Sequence, residues 1–230
     1  MARYFVLLVG LTTLLLFALP VSAQQSFILT GKITDVDGKP VAGAEISVFR
    51  GKNSKKPADF ASNRTTDNGK YKVALPAGQY WAVAVLRKSG RRFGPLELGD
   101  KYSGEAVELE IGPDQQLEHD FTILDLRDAA MQAQKKNENL VRLSGRVVDK
   151  FGKPVFLAYV MVDSAPKFKD FPKYISAWTG NDGEYLLFLP PGRHYLGAET
   201  GFPPDSAYIL HSELLLEKDH EGFDLILLEK

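Results

Sequence analysis

From Phe27 onward the chain runs in short segments where apolar and polar positions alternate, the period of a strand with one buried face. Phe27 to Thr34, Ala44 to Phe49, Tyr71 to Leu75 and Tyr80 to Leu86 all read this way, with further strands near Val107 to Ile111 and Asp120 to Asp125. Turn chemistry separates them. Asp37-Gly38, Asp67-Asn68-Gly69 and Pro76-Ala77-Gly78 each offer a residue that tolerates positive φ. Pro40 has no amide to give a ladder, so it belongs before a strand or on an edge. About seven short strands with regular turn signals predict a β-sandwich.

The pattern occurs twice. ITDVDGKPVAGA at 33–44 returns as VVDKFGKPVFLA at 147–158, and the spacing of 114 holds without a gap from Gly31 and Gly145 to Gly78 and Gly192. Asp35, Pro40, Ala44, Thr65, Gly69, Tyr71 and Leu75 meet Asp149, Pro154, Ala158, Thr179, Gly183, Tyr185 and Leu189. This is a duplication, and the second unit ends in a strand within Phe223 to Leu228. The expectation is an all-β chain of two tandem seven-stranded Greek-key β-sandwiches, 24–125 and 141–230. Between them, residues 126–140 (LRDAAMQAQKKNENL) have the composition of a short linker with helical turns and contain no Pro or Gly.

The pattern G-x-V-x-D-x-x-G-x-P-V-x-x-A, a variable loop, then T-x-x-x-G-x-Y-x-x-x-L-P-x-G resembles the carboxypeptidase regulatory-like domain; unit one carries Ile33 at the first Val. The resemblance covers nearly all of the chain beyond residue 24 and implies a prealbumin-like (transthyretin-like) sandwich. It implies no chemistry, because turn glycines, a rigid proline and core tyrosines shape a scaffold.

Composition narrows the function. Arg3, the apolar run Phe5 to Ala18 and Val21-Ser22-Ala23 read as a signal peptide over 1–23, cut before Gln24. No Cys follows the cut, so a lipoprotein is not expected; the reading is a secreted or periplasmic protein with no stable membrane span after cleavage. With no Cys anywhere, packing alone holds the fold, and thiol catalysis and Cys-ligated metal are excluded. A formal charge of -1 gives no case for nucleic acid. None of His119, His194, His211 and His220 has Glu three positions later, the spacing of a zinc peptidase helix. Asp35-Val36-Asp37-Gly38 lacks the closing ligands of a calcium loop and reads as a turn. No catalytic residue, metal or cofactor is expected.

The two units differ on their outward positions. Tyr71, Val73 and Leu75, like Tyr185, Leu187 and Leu189, are expected to point inward. The alternate positions are Glu45, Ser47, Arg64, Lys72 and Ala74 in unit one but Tyr159, Met161, Trp178, Leu186 and Phe188 in unit two. This predicts a wet outer face on the first domain and an apolar one on the second. A contiguous apolar patch of this kind needs a cover. The chain itself can supply it, through the linker, the Ala165 to Tyr174 loop or domain one, or a protein partner, a second copy or a stacked polysaccharide can. The loop Ser164 to Tyr174 adds Phe168, Phe171 and Tyr174 between lysines, a mixture suited to contact surfaces. The expected function is non-enzymatic binding or structure, with a protein partner or self-association through domain two. Carbohydrate binding on Trp178 and Tyr159 is the alternative.

Overall fold

The computed structural model describes residues 25–91, 94–113, 117–126, 128–129, 139–205 and 207–228. The signal peptide at 1–23 and most of the 126–140 linker lie outside them; within that linker Leu126, Asp128 and Ala129 are helical. No helix among the described residues is long and apolar enough to cross a membrane.

The chain is all-β, and its strands fall into two sequence-contiguous sets that share no ladder. The N-terminal set is β1 (Ser26–Thr34), β2 (Glu45–Phe49), β3 (Phe60–Ala61), β4 (Lys70–Pro76), β5 (Gly78–Leu86), β6 (Lys101–Tyr102), β7 (Val107–Ile111), β8 (Phe121–Thr122) and β9 (Leu124–Asp125). Sheet β4-β1-β8 faces sheet β3-β2-β5-β6-β9, and β7 also pairs with β5. The C-terminal set is β10 (Val141–Val148), β11 (Tyr159–Asp163), β12 (Tyr174–Ile175), β13 (Glu184–Leu189), β14 (Gly192–Glu199), β15 (Ser212–Leu216) and β16 (Leu225–Ile226). Here β13-β10-β16 faces β12-β11-β14-β15.

Each pair of sheets closes on its own core. Leu29, Ile33, Tyr71, Val73, Leu75 and Phe121 from one sheet meet Ile46, Val48, Tyr80, Ala82, Ala84 and Ile111 from the other. The second core repeats this with Leu143, Val147, Tyr185, Leu187 and Leu189 against Val160, Val162, Leu196, Ala198 and Leu216. The inward tyrosines and leucines expected from the alternation are therefore buried in both copies.

The duplication is also visible in polar detail. Asp35 and Asp149 each accept two turn amides, from Asp37 and Lys39 and from Phe151 and Lys153. Thr65 and Thr179 each accept the amide of Ala44 or Ala158 and donate to the carbonyl of Val41 or Val155. These bonds satisfy backbone groups that the sheet ladders leave over.

The strand that closes the smaller sheet of each half, β8 or β16, enters beside a glycine. A Cβ at Gly31 would lie 1.9 Å from the His119 carbonyl oxygen, and one at Gly145 would lie 2.1 Å from that of Phe223. Those same carbonyls accept the Tyr71 hydroxyl at 2.5 Å and the Tyr185 hydroxyl at 2.6 Å. Glycine admits the strand and tyrosine holds it. The expected single strand Asp120 to Asp125 is in fact two: β8 pairs with β1, the chain bends at buried Ile123, and β9 pairs with β6 in the facing sheet.

Gly31→Ala and Gly145→Ala are each expected to cost about 3 kcal/mol or more, since the methyl group meets backbone that has no room to yield. Gly112→Ala, with nothing within 4 Å, should change stability by less than about 0.5 kcal/mol. Urea denaturation of the three variants checks this.

Candidate functional site

Four of the eight expected interaction residues form one buried cluster. Tyr159 and Met161 on β11, Phe168 on the following loop and Trp178 beyond β12 pack with Leu210; Leu157, Ile175, Tyr195, Phe202 and Tyr208 lie against them. Tyr159 and Met161 have no exposed surface, and Trp178 retains 7%. The Tyr159 and Trp178 rings meet edge to face at 4.9 Å, and Phe202 closes on Tyr159 at 6.1 Å.

The cover comes from the chain itself, in two pieces. The segment after β14 folds back: Tyr159 donates to the Gly201 carbonyl at 2.8 Å, Tyr208 to the Ala198 carbonyl at 2.7 Å, and the Leu210 amide to the Pro166 carbonyl at 2.8 Å. Burial pushes the Tyr208 hydroxyl up to about 12 and raises that of Tyr159 as well. The second piece belongs to the N-terminal half. The Trp178 amide donates to the Leu96 carbonyl at 2.8 Å, the Arg91 guanidinium lies 5.6 Å from the Trp178 ring, and Gly94 rests against both Trp178 and Phe202.

That second piece is itself braced. Arg87 donates to the carbonyls of Gly94 and Pro95 at 2.7 and 3.0 Å. Asp100, with no exposed surface, accepts the amides of Lys88 and Glu97 and lies 4.0 Å from Arg87. Arg87 thus serves as a structural tie within this segment.

The expected single apolar face is divided between two sheets. Leu186 and Phe188 lie on β13, in the sheet opposite to that of Tyr159 and Met161. Period-two alternation assigns a residue to a face of its strand and says nothing about which sheet the strand joins. Leu186 is 42% exposed and Phe188 half-buried, in register with Ser144 and Arg142 of β10. Phe171 is half-buried and meets Phe202 at 5.8 Å; Tyr174, on β12, is half-buried beneath the Lys55 ammonium.

The expected wet outer face of the N-terminal half is corrected as well. Phe49, Val83 and Val85 form a further buried apolar cluster on the outside of the β2–β5 sheet, joined by Ala58, Trp81, Leu96, Tyr102 and Ala106. The outward positions of β5 are apolar although those of β2 include Glu45 and Ser47. Lys72 and Ala74 belong to β4, in the other sheet, so they say nothing about this face.

Where this face meets the C-terminal half a cleft remains, about 690 Å³ in volume. Its floor includes Phe49, Trp81 and Val83, its far side Ile175, Ala177 and Phe202, and its rim Lys52, Lys55, Glu105 and Glu108. Burial pushes the Lys55 ammonium below the ordinary lysine range, and its contact is the Tyr174 ring at 5.6 Å. No sequence signal pointed to this cleft, because its walls come from distant segments.

His194 is buried with Nε2 2.8 Å from the Pro190 carbonyl, and His211 sits 3.1 Å from the Tyr208 hydroxyl. Among the described residues no group of three or more His, Cys, Asp or Glu is placed to hold a metal ion.

No protein-family model matches the chain, and no curated protein matches it significantly. Among solved structures it is similar to the TIE protein of Bacillus anthracis, at 15% identity and TM-score 0.31 over 88% of this chain and 34% of that one. It is also similar to a Streptococcal ancillary pilin, at 12% identity and TM-score 0.29 over 90% of this chain and 62% of that one. The shaft pilin SpaA of Lactobacillus rhamnosus GG gives 9% identity and TM-score 0.30 over 88% and 97%. The chain spans about a third of the first of these proteins and less than two thirds of the second. Likeness this distant carries no inference about the task of this chain.

Because Tyr159 and Trp178 sit in a covered cluster, replacing either by Ala should lower stability by about 3–5 kcal/mol. Leu186→Ala should cost less than about 1 kcal/mol. Chemical denaturation distinguishes this from an open binding surface, where all three losses would be small.

Proposed function

We propose that the protein is an exported, non-enzymatic accessory protein of the cell envelope or extracellular space that engages a second copy of itself through strand β13. In this reading residues 1–23 are removed on export, and 24–125 and 141–230 are two carboxypeptidase regulatory-like modules joined by 126–140. The modules act as a rigid scaffold, and contact is made where the scaffold leaves apolar surface open.

The observation that carries the reading is a difference between equivalent edges. In both halves this strand ends its sheet, as β4 in β4-β1-β8 and as β13 in β13-β10-β16. An unpaired strand edge is a template for another chain, and lysine on the edge is a common guard against it. β4 carries exposed Lys70 and Lys72. The matching positions of β13 are Glu184 and Leu186, followed outward by Phe188. On this copy alone Lys72 gives way to Leu186 and Ala74 to Phe188, while Lys70 becomes Glu184, and exposed Ile226 adds to the apolar surface of the same half.

Antiparallel pairing of two β13 strands about Leu186 sets the two leucines opposite each other. It also places Glu184 opposite Phe188, so like charges do not meet directly. Main-chain hydrogen bonds would supply affinity and the alternating side chains register.

Light scattering of the chain from Gln24, with and without Leu186→Lys and Phe188→Lys, tests this. The expected result is a wild type whose mass rises above monomer with concentration and a doubly substituted variant that stays monomeric with unchanged melting. A monomeric wild type at every concentration, or an oligomer that survives both substitutions, contradicts the reading.

A further inference from the structure

The two copies treat the same sheet face differently. In the C-terminal half, the outside of β11 and β14 is filled by the chain's own Phe202, Tyr208 and Leu210. In the N-terminal half, the outside of β2 and β5 is only partly covered, and a cleft of about 690 Å³ remains over Phe49 and Trp81. A volume in the range of roughly 300–1,000 Å³, with an aromatic floor and a few polar groups at its rim, has the proportions of a small-molecule site.

The rim specifies the ligand. Lys55 is half-buried, its ammonium meets the Tyr174 ring, and it forms no ion pair with a carboxylate among the described residues. A cation in that state is incompletely compensated, and a carboxylate arriving in the cleft would complete it. Its neighbour Lys56 is already engaged with Asp59 at 3.9 Å. Glu105 and Glu108 line the cleft as well and can accept hydrogen bonds from hydroxyl groups, Glu108 already accepting one from the Gln79 amide. Ser47, Ser54 and Ser103 add further hydroxyls to the lining. An aromatic floor for the C–H face of a ring, acceptors for its hydroxyls and one unpaired ammonium for its carboxylate describe a single chemical class.

We infer that the cleft between the two halves binds a carboxylated sugar ring of an acidic glycan, with Trp81 beneath the ring and Lys55 on its carboxylate. The pair is not repeated at this face of the other copy: the counterpart of Trp81 is Tyr195, packed against the Phe202 cluster, and the counterpart of Lys55, although also a lysine, is the exposed Lys169. The site is thus particular to the N-terminal copy and independent of the β13 edge.

Calorimetric titration of the chain from Gln24 with trigalacturonate, its neutral methyl ester and a hexaglutamate peptide tests the inference. Trigalacturonate is expected to bind, its ester at least about tenfold more weakly, and Lys55→Met to lose at least about tenfold in affinity. Lys55→Arg should recover part of that loss. Lys55→Met should melt no lower than wild type without ligand, because the ammonium it removes was unpaired, so a loss of binding would not reflect a loss of fold. Absence of trigalacturonate binding at millimolar concentration, equal binding of the ester, or unchanged affinity in Lys55→Met overturns the inference. Tighter binding of hexaglutamate does the same, and would assign the cleft to an acidic protein segment.

Discussion

A sandwich buries the inner faces of its sheets against each other, and in this protein two of the outer faces are apolar as well. The outside of β2–β5 carries Phe49, Val83 and Val85, and the outside of β11–β14 carries Tyr159 and Met161. Neither can be left in water at this size. The chain resolves this by covering them from within, using the segment after β14 and the braced loop that ends at Leu96. The hydrogen bond from the Trp178 amide to the Leu96 carbonyl marks where the two halves meet. The cleft and the surface left for partners both follow from this mutual cover.

Much of the fold was legible in the chain because its signals are local. Alternation located the long strands, and the repeated glycines, Pro40 and Pro154 located the turns. Tyr71 and Tyr185 were legible as inward residues, though not the carbonyls that their hydroxyls would reach, since those lie 48 and 38 residues away. Sheet membership was not legible at all. Leu186 and Phe188 alternate as Tyr159 and Met161 do, yet they belong to opposite sheets. The switch at Ile123 was hidden for a related reason: buried Phe121 and Ile123 flank exposed Thr122, so the segment reads as one continuous alternating strand.

The candidate sites were less legible than the fold. Tyr159, Met161, Phe168 and Trp178, expected as interaction residues, lie buried beneath the chain's own Phe202, Tyr208 and Leu210. The N-terminal outer face was misjudged because β5, with Trp81, Val83 and Val85, carries its apolar character while β2 carries Glu45 and Ser47. The cleft depends on contacts between residues such as Lys55 and Tyr174, separated by more than half the chain, and no periodic pattern reports those. What the duplication does make readable is divergence. Two copies of one scaffold differ at an edge strand and at one outer face, and those differences are the places where a scaffold acquires a task.

The central claim is that the apolar outer faces are covered by the chain itself, with the two halves docked on each other. Hydrogen exchange at the Trp178 amide measures this most directly, because its partner, the Leu96 carbonyl, belongs to the other half. The account requires slow exchange, comparable with the core amides of β11 and β14. Exchange at the rate of an exposed loop amide, with those core amides still protected, would show that the halves are not docked and would remove the basis for the covered faces and the cleft together.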